Sequence, residues 1–497
     1  MDLRTRSLPV FPVSSGPLRP EVDPTSRAVR HFVDDTGPLG GPKIALITLG
    51  CDKNTVDSER MIAALVGHGA RVTGEIEGAD ALIVNTCGFI EAAKEQSIET
   101  ILEACDLKAQ GRLGAVVAVG CLVQRYKQDL QTEIPEVDLF MGLSELEGLV
   151  PELRRRALLP PAGSIPIMER PLRVLTGETR HTSYLKISEG CDHTCAFCAI
   201  PLMRGLHRSA PLEDLVAEAR GLGEAGVREI NIVSQDTTWY GRDLRRRSGD
   251  APLLPDLLRA LLDRTGVEWY RLFYVYPSGV TERLVEVLAE SAGRSTGPRV
   301  LPYLDMPLQH GSDRILKAMR RPERRETIRE RVAWLRDAIP GLVLRTTVIV
   351  GFPGETDSDF RELLDLLDEL RFDRVGAFAY SEEEGTRAAA LPDQVAEPLR
   401  RDRLEELMDL QRSISFDRNL DLVGRSQRVL VDRRLAEDEA DEGLAAVGRT
   451  EGQALDVDGV THLIEPGDAD ERIVPGAMLD VEIVDAEEYD LIGRVVA

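Results

Sequence analysis

Short apolar runs followed by longer stretches with apolar residues every three or four positions recur along most of this chain. From Pro42 to about Arg156, KIALITL, ALIVNT and AVVAVG read as strands, and VDSERMIAALVGHG and FIEAAKEQSIETILEAC as the helices between them. Strand–helix alternation predicts a parallel sheet with helices on both faces. The proline-rich stretch LLPPAGSIPIMERPL, from Leu158 to Leu172, reads as a linker. A second alternating series follows, with SYLKIS, REINIVS, WYRLFYV, VLPYLDM, LVLRTTVIV and DRVGAFAYS as strands and amphipathic helices such as DSDFRELLDLLDELR between them. Six units fall short of the eight that close a (β/α) barrel, so an open, partial (β/α)6 barrel is expected, with chemistry at the carboxyl ends of its strands. After the long helical stretch RRDRLEELMDLQRSISFDRNLDLVG the pattern changes to SQRVLVD, LAAVGRT, AMLDVEIVDA and DLIGRVVA, a small all-β module expected to form a five-stranded barrel.

The fold class is therefore α/β, in three parts. A parallel-sheet domain covers 42–158, the partial barrel 177–408 and the all-β barrel 410–497. Residues 1–41 hold several prolines and glycines without a continuous apolar core, and read as a disordered leader rather than a signal peptide. No apolar run approaches the ~18 residues that span a bilayer, so no membrane role and a cytoplasmic location are expected.

Composition narrows the chemistry. The formal charge is −24, which disfavours binding to a phosphate backbone and suits a basic protein partner. Seven cysteines, an odd number, in a reducing compartment favour metal or redox chemistry over disulfides. Three of them fall in SEGCDHTCAFCAIP, at Cys191, Cys195 and Cys198, in the loop after the first strand of the partial barrel. Three thiolates on one tight loop can hold three corners of an iron–sulfur cube and leave the fourth iron open. The alternative is a zinc knuckle with a distant fourth ligand, although zinc spacings usually pair two CxxC or CxxC/HxxxH units. His193, inside the loop, is expected to face solvent or cap the turn. Cys51, Cys87 and Cys121 each follow a predicted parallel strand directly. Neighbouring parallel strands end on one edge of a sheet, so these thiols are expected to converge there as a second three-cysteine cluster. The alternative is three small hydrophobes packed in a core. Cys105 lies on the apolar side of a helix and reads as a core residue.

With both trios in view, the chain resembles the methylthiotransferase family of radical S-adenosylmethionine enzymes. LGCDKNTVDSE (Leu49 to Glu59), NTCGFIEAAKEQS (Asn85 to Ser97) and AVGCLVQRY (Ala118 to Tyr126) match that family's N-terminal domain. EGCDHTCAFCAIP with Arg204 and Gly205, then VSQDTTWYG (Val233 to Gly241), LDMPLQHGSDRILKAMRR (Leu304 to Arg321) and VGFPGET (Val350 to Thr356), match its radical core. The last module looks like a TRAM domain, a substrate-recognition barrel. The resemblance implies two 4Fe–4S clusters, one on Cys51, Cys87 and Cys121 and one on Cys191, Cys195 and Cys198, the latter exchanging its open position with S-adenosylmethionine. It also implies two molecules of S-adenosylmethionine, one donating a methyl group to sulfur and one cleaved reductively, together with a sulfur donor and an electron donor.

Two branches of the family differ in substrate, one modifying a tRNA adenosine and the other the β-carbon of an aspartate in small-subunit ribosomal protein twelve. GCDKN and SQDTTWYG look like the ribosomal-protein branch, the tRNA branch having GCQMN and GQNV there. From Gln411 to Ala497 there are 21 Asp and Glu against nine Arg and no Lys, a net −12. An acidic barrel repels tRNA phosphates and attracts a basic ribosomal protein, so nucleic acid is not the expected substrate. A zinc-stabilised acidic binding protein is the more distant alternative. Within the radical core, Gly351 is expected to let backbone approach the adenosine, or to be an ordinary strand-end turn. Arg345 is expected to pair with the cofactor carboxylate, or to form a buried salt bridge in the barrel. Gln309, His310, Asp236 and Tyr240 sit at strand ends facing the expected cavity, with no acid–base role assigned.

Overall fold

A computed structural model describes residues 30–31, 36–38, 40–162, 172–176, 179–294, 296–436, 443–464 and 471–496. It divides into two compact units, one of residues 1–178 and 199–205, the other of residues 179–198 and 206–497.

The first unit is built on a sheet of β1 (Arg30–His31), β2 (Lys43–Thr48), β3 (Arg71–Thr73), β4 (Ala81–Thr86), β5 (Val116–Gly120) and β6 (Leu139–Gly142). Its strand order is β1-β2-β4-β5-β6, with β3 also on β2, and every pairing but β1–β2 is parallel. Alternate residues along each strand serve opposite faces. Ala45, Ile47, Leu82, Val84, Val116 and Ala118 pack with Ile101 and Ala104 of the helix Glu91–Ala109. Ile44, Leu46, Ile83, Val117 and Val119 pack with Met61, Ile62 and Leu65 of the helix Asp52–Gly67. Strands covered on both faces read as unbroken apolar runs, which is why these were visible in the sequence. Each fully buried Val, Ile, Leu or Met side chain among them contributes roughly 1.5–3 kcal/mol. Cys105 joins the first of these cores.

Within the expected leader, β1 pairs with β2 and Thr36 bridges Val72, satisfying backbone groups at the sheet's edge. The rest of that leader, residues 1–29, and most of the expected linker, residues 163–171, lie outside the described residues.

The second unit begins with β7 (Thr182–Lys186), a small ribbon of β8 (Ser188–Glu189) and β9 (Arg208–Ser209), and then β10 (Glu229–Val233), β11 (Trp269–Leu272), β12 (Arg299–Asp305), β13 (Val343–Val350) and β14 (Arg374–Ala379). The order β14-β13-β12-β11-β10-β7 is wholly parallel and open, the partial barrel the pattern predicts. A long helix, Glu397–Leu420, leads to β15 (Ser426–Arg434), β16 (Leu444–Thr450), β17 (Thr461–Ile464), β18 (Met478–Ala486) and β19 (Leu491–Val495), which close into a barrel in the order β15-β16-β17-β19-β18.

The small barrel packs at the amino ends of the parallel strands through buried charge. Arg449 of β16 reaches Glu229 at the start of β10 (2.5 Å), Thr182 at the start of β7 (2.9 Å) and Asp432 of β15 (2.7 Å). Glu229 also accepts from Arg271 at 2.8 Å, and Asp432 is bonded to His181 at 2.9 Å. Burial alone would raise the carboxyls of Glu229 and Asp432, but the guanidinium charges overturn that and hold both below their ordinary values. The carboxyl ends of the strands are left for chemistry. Among the described residues no helix is long and apolar enough to cross a membrane.

Candidate metal centre

In the first unit, β2, β4 and β5 are adjacent and parallel, and each turns at its carboxyl end directly into a cysteine. Cys51 caps the helix Asp52–Gly67, Cys87 follows β4, and Cys121 opens the helix Cys121–Glu133. Two of the three thus stand at helix N-termini, where the backbone dipole favours a thiolate. The turns need glycine, with φ +93° at Gly50 and +104° at Gly120. Cys87 is fixed by Ser97, whose Oγ accepts from the Cys87 N–H (3.0 Å) and donates to its carbonyl (2.9 Å).

Asn54 ties the strand ends together. Its Nδ2 donates to the carbonyls of Leu49 (2.7 Å) and Thr86 (3.1 Å), and its Oδ1 accepts from Arg204 (2.6 Å) and lies 3.8 Å from the Cys121 sulfur. Arg204 also pairs with Asp57 at 3.3 Å, nearly out of solvent. The thiols sense one another. Burial pushes Cys87 up to about 11, with the charge of Cys51 adding and Arg204 opposing. Burial pushes Cys121 up to about 12, opposed by Arg204 and reinforced by Cys51 and Cys87. Asn54 and Arg204 were not singled out as site residues from sequence; the N of GCDKN, three residues after the cysteine, was the available signal for the first.

In the second unit the loop after β7 carries the other trio. The Cys198 N–H donates to the Cys195 carbonyl (3.2 Å), while Ala196 is pinned by its N–H to Met319 (2.9 Å) and by its carbonyl to the Ala388 N–H (2.8 Å). Burial pushes the Cys191 thiol up to about 12, with the charges of Cys195 and Asp236 adding. His193 does not face solvent as expected. Its ring stacks on Tyr276 at 4.0 Å and 8°, meets Trp239 edge-on at 4.9 Å, and bonds through Nε2 to Asp236 at 2.7 Å. Its partners come from the ends of β10 and β11, so the strand-end chemistry captures the loop.

The other strand-end residues are sorted by the same geometry. Arg345 is committed to carboxylates, 2.7 Å from Asp305 and 3.6 Å from Asp458 of the small barrel. Burial opposes its charge, but Asp305, Tyr303 and Asp458 outweigh that and hold its pKa above the ordinary value. The buried salt bridge, one of the two expectations for this residue, is present. At Gly351 φ is +72°, and the N–H is taken by Glu355 (2.8 Å); a Cβ would stand 2.1 Å from Arg400 Cγ. A strand-end turn packed on Arg400 accounts for that glycine. His310 is buried, its Nδ1 accepting from the Ser312 N–H (2.9 Å), so that Nε2 carries the proton toward Glu355 (3.2 Å). Tyr240 donates to the Ala210 carbonyl at 3.0 Å, a packing role. Gln309 holds a left-handed backbone, φ +76°, and bridges to Val348 of β13. Asp236, holding His193, is the member of this group that touches the cysteine loop.

The donor sets fit iron–sulfur ligation. None of the seven cysteines is joined in a disulfide. Gly50 keeps the space beside Cys87 open, where a Cβ would sit 2.8 Å from the sulfur. Among the described residues no group of three or more His, Cys, Asp or Glu side chains is drawn together tightly enough to hold a single metal ion. A cube takes one thiolate per iron and so spreads its ligands.

Residues 43–142 match the family described as uncharacterized protein family UPF0004, residues 185–367 the radical SAM superfamily and residues 423–496 the TRAM domain. Together with the three-cysteine loop at the head of an open parallel barrel, this defines a radical S-adenosylmethionine enzyme. The chain is 44% identical to the ribosomal protein uS12 methylthiotransferase RimO of Anaeromyxobacter sp. (strain K), covering 92% of this chain and 93% of that one. It is likewise 44% identical to RimO of Symbiobacterium thermophilum, covering 91% and 90%. The chain belongs to the RimO family of methylthiotransferases. Among solved structures, the cobalamin-dependent S-adenosylmethionine radical enzyme OxsB is 14% identical, with TM-score 0.47 over 75% of this chain and 57% of that one.

Proposed function

We propose that this chain adds a methylthio group to the β-carbon of an aspartate in ribosomal protein uS12. In this reading Cys51, Cys87 and Cys121 hold one 4Fe–4S cluster, and Cys191, Cys195 and Cys198 hold a second that takes S-adenosylmethionine. The observation that carries it is the placement of three thiols at the carboxyl ends of adjacent strands β2, β4 and β5, in addition to the radical loop. One trio alone describes a generic radical enzyme. An unactivated C–H bond has no acidic proton, so the reaction needs a radical that side chains cannot supply; a bound cluster supplies the electron that releases it from S-adenosylmethionine. What this chain contributes is the cradle. Gly50 keeps room beside Cys87, Asn54 and Arg204 brace the strand ends, and Asp236 and Tyr276 hold His193 and with it the cysteine loop.

The partner reading rests on charge. Asp480 and Glu482 of β18 point outward while Val481 and Ile483 face the small barrel's core, and Asp485, Glu487 and Glu488 continue the exposed series. Such a face attracts a basic protein and repels a polyanion.

Anaerobic reconstitution followed by incubation with isolated ribosomal proteins and with bulk tRNA tests the reading. About eight irons per chain, four for each cube, and a methylthio mass gain on uS12 are expected. A mass gain confined to tRNA overturns the substrate, and zinc with no cleavage of S-adenosylmethionine overturns the chemistry.

A further inference from the structure

Tyr276 lies just beyond β11 and is nearly buried, at 8% exposure. Its ring is held on both faces. His193, from within the cysteine loop, stacks on it at 4.0 Å, and the Arg321 guanidinium carbon sits 3.7 Å from its centroid. Groups that close cannot share one face of a ring. Arg321 is itself anchored, donating to the Pro307 carbonyl (2.8 Å) and pairing with Glu323 (3.2 Å). A phenol ring clamped in this way has one orientation, and that orientation puts its hydroxyl 4.0 Å from the Cys195 sulfur. A core tyrosine serving only to fill space has no need of an aromatic clamp on one side and a cation on the other, or of a hydroxyl aimed at a thiol.

We propose that Tyr276 is a positioning residue of the radical centre, whose hydroxyl donates a hydrogen bond to the Cys195 thiolate and raises the reduction potential of the cluster held there. The inference rests on the reading of Cys191, Cys195 and Cys198 as cluster ligands. Hydrogen bonds to ligand sulfur are one of the levers that set iron–sulfur potentials. The reduced form carries one more negative charge, so a donor stabilises it more than the oxidised form. The Arg321 cation over the ring withdraws electron density from the phenol and strengthens the same donation. His193 places the loop at the ring, and the ring's hydroxyl then addresses the loop's second cysteine.

The test is an anaerobic redox titration of the reconstituted holoenzyme, following by electron paramagnetic resonance the signal that responds to added S-adenosylmethionine. In Tyr276→Phe the iron content is retained. At the wild-type midpoint the ratio of reduced to oxidised cluster is about threefold lower, a fall of about 30 mV at 59 mV per tenfold for one electron. Replacement of Tyr276 by 3-fluorotyrosine, of nearly the same shape but a more acidic hydroxyl, shifts the midpoint upward. An unchanged midpoint in Tyr276→Phe with iron retained overturns the proposal. Should that variant lose its iron, the fluorotyrosine protein decides, and an unchanged or lowered midpoint there overturns it equally. Absence of a responsive signal in the wild-type protein is a separate result, which refutes the ligand reading rather than the role of Tyr276.

Discussion

At Gly50 an added Cβ would stand 2.7 Å from the Cys87 Cβ and 2.8 Å from its sulfur, on a backbone whose φ of +93° already disfavours any other residue. The obstruction lies where a ligand thiol must turn toward its metal. Gly50→Ala is expected to lose about half the iron, roughly four of eight atoms, while cleavage of S-adenosylmethionine at the other trio persists. Iron and sulfide analysis beside a 5′-deoxyadenosine assay reads both, and a full iron complement would show that Cys87 has room to move. Residue-scale chemistry was the least legible part of the chain. The six cysteines announced themselves by spacing and by position after apolar runs. His193 did not, because its partners Asp236 and Tyr276 lie 43 and 83 residues further on, and nothing local distinguishes a stacked histidine from a solvated one. Arg345 was legible only as a choice between two partners, for a related reason. Its carboxylates are Asp305 on the neighbouring strand β12 and, further off, Asp458 of the small barrel, neither of them near it in sequence.

At the scale of elements, the strands that sequence revealed are those buried on both faces, such as ALIVNT and AVVAVG. Those it did not reveal are short or marginal: RH of β1, RVT of β3, LFMG of β6 and THLI of β17. Four residues or fewer carry too little periodicity to stand out, and such strands exist because a neighbour's edge pairs with them. Helix starts were better marked. The helix Asp357–Leu370 opens on a reciprocal cap, Thr356 Oγ accepting from the Asp359 N–H (3.3 Å) while the Asp359 carboxylate accepts from the Thr356 N–H (2.9 Å). That carboxylate also accepts from Ser312 (2.8 Å) and Arg314, tying the helix to the segment after β12. Thr356→Ala is expected to cost about 1–2 kcal/mol, read as a lower denaturation midpoint for the second unit. Thr356→Ser, which keeps the hydroxyl, recovers most of it. Equal loss in both variants would mean that the methyl packing matters and the cap does not.

For the molecule as a whole, the decisive feature is the buried charge between the partial barrel and the small barrel. Glu229, Arg271 and Arg449 are each at most 1% exposed. Removing one member leaves the others charged and without water, so Glu229→Gln is expected to destabilise the second unit by about 3–5 kcal/mol. The pH dependence follows from the lowered carboxyls. Glu229 and Asp432 start from ordinary values of 4.5 and 3.8. Folded values below these mean that the native state binds fewer protons than the unfolded one in acid. Their contribution is therefore full above about pH 4.5 and is lost as pH falls through the folded values. The stability gap between wild type and Glu229→Gln should be constant from pH 7 to 5 and then narrow below pH 4.5. Urea denaturation at each pH measures it, and a gap that widens in acid contradicts the network as described. The three-part division read from the sequence could not foresee this linkage, since residues 220 positions apart form its central pair.

Joined through those ions, the small barrel is no pendant that swings on a tether. A grafted barrel without Arg449 and Asp432 would rob Glu229 and His181 of their partners in the dark beneath it. A lineage that changed clientele would have had to redecorate the outer wall, strand by strand, with the foundations left alone.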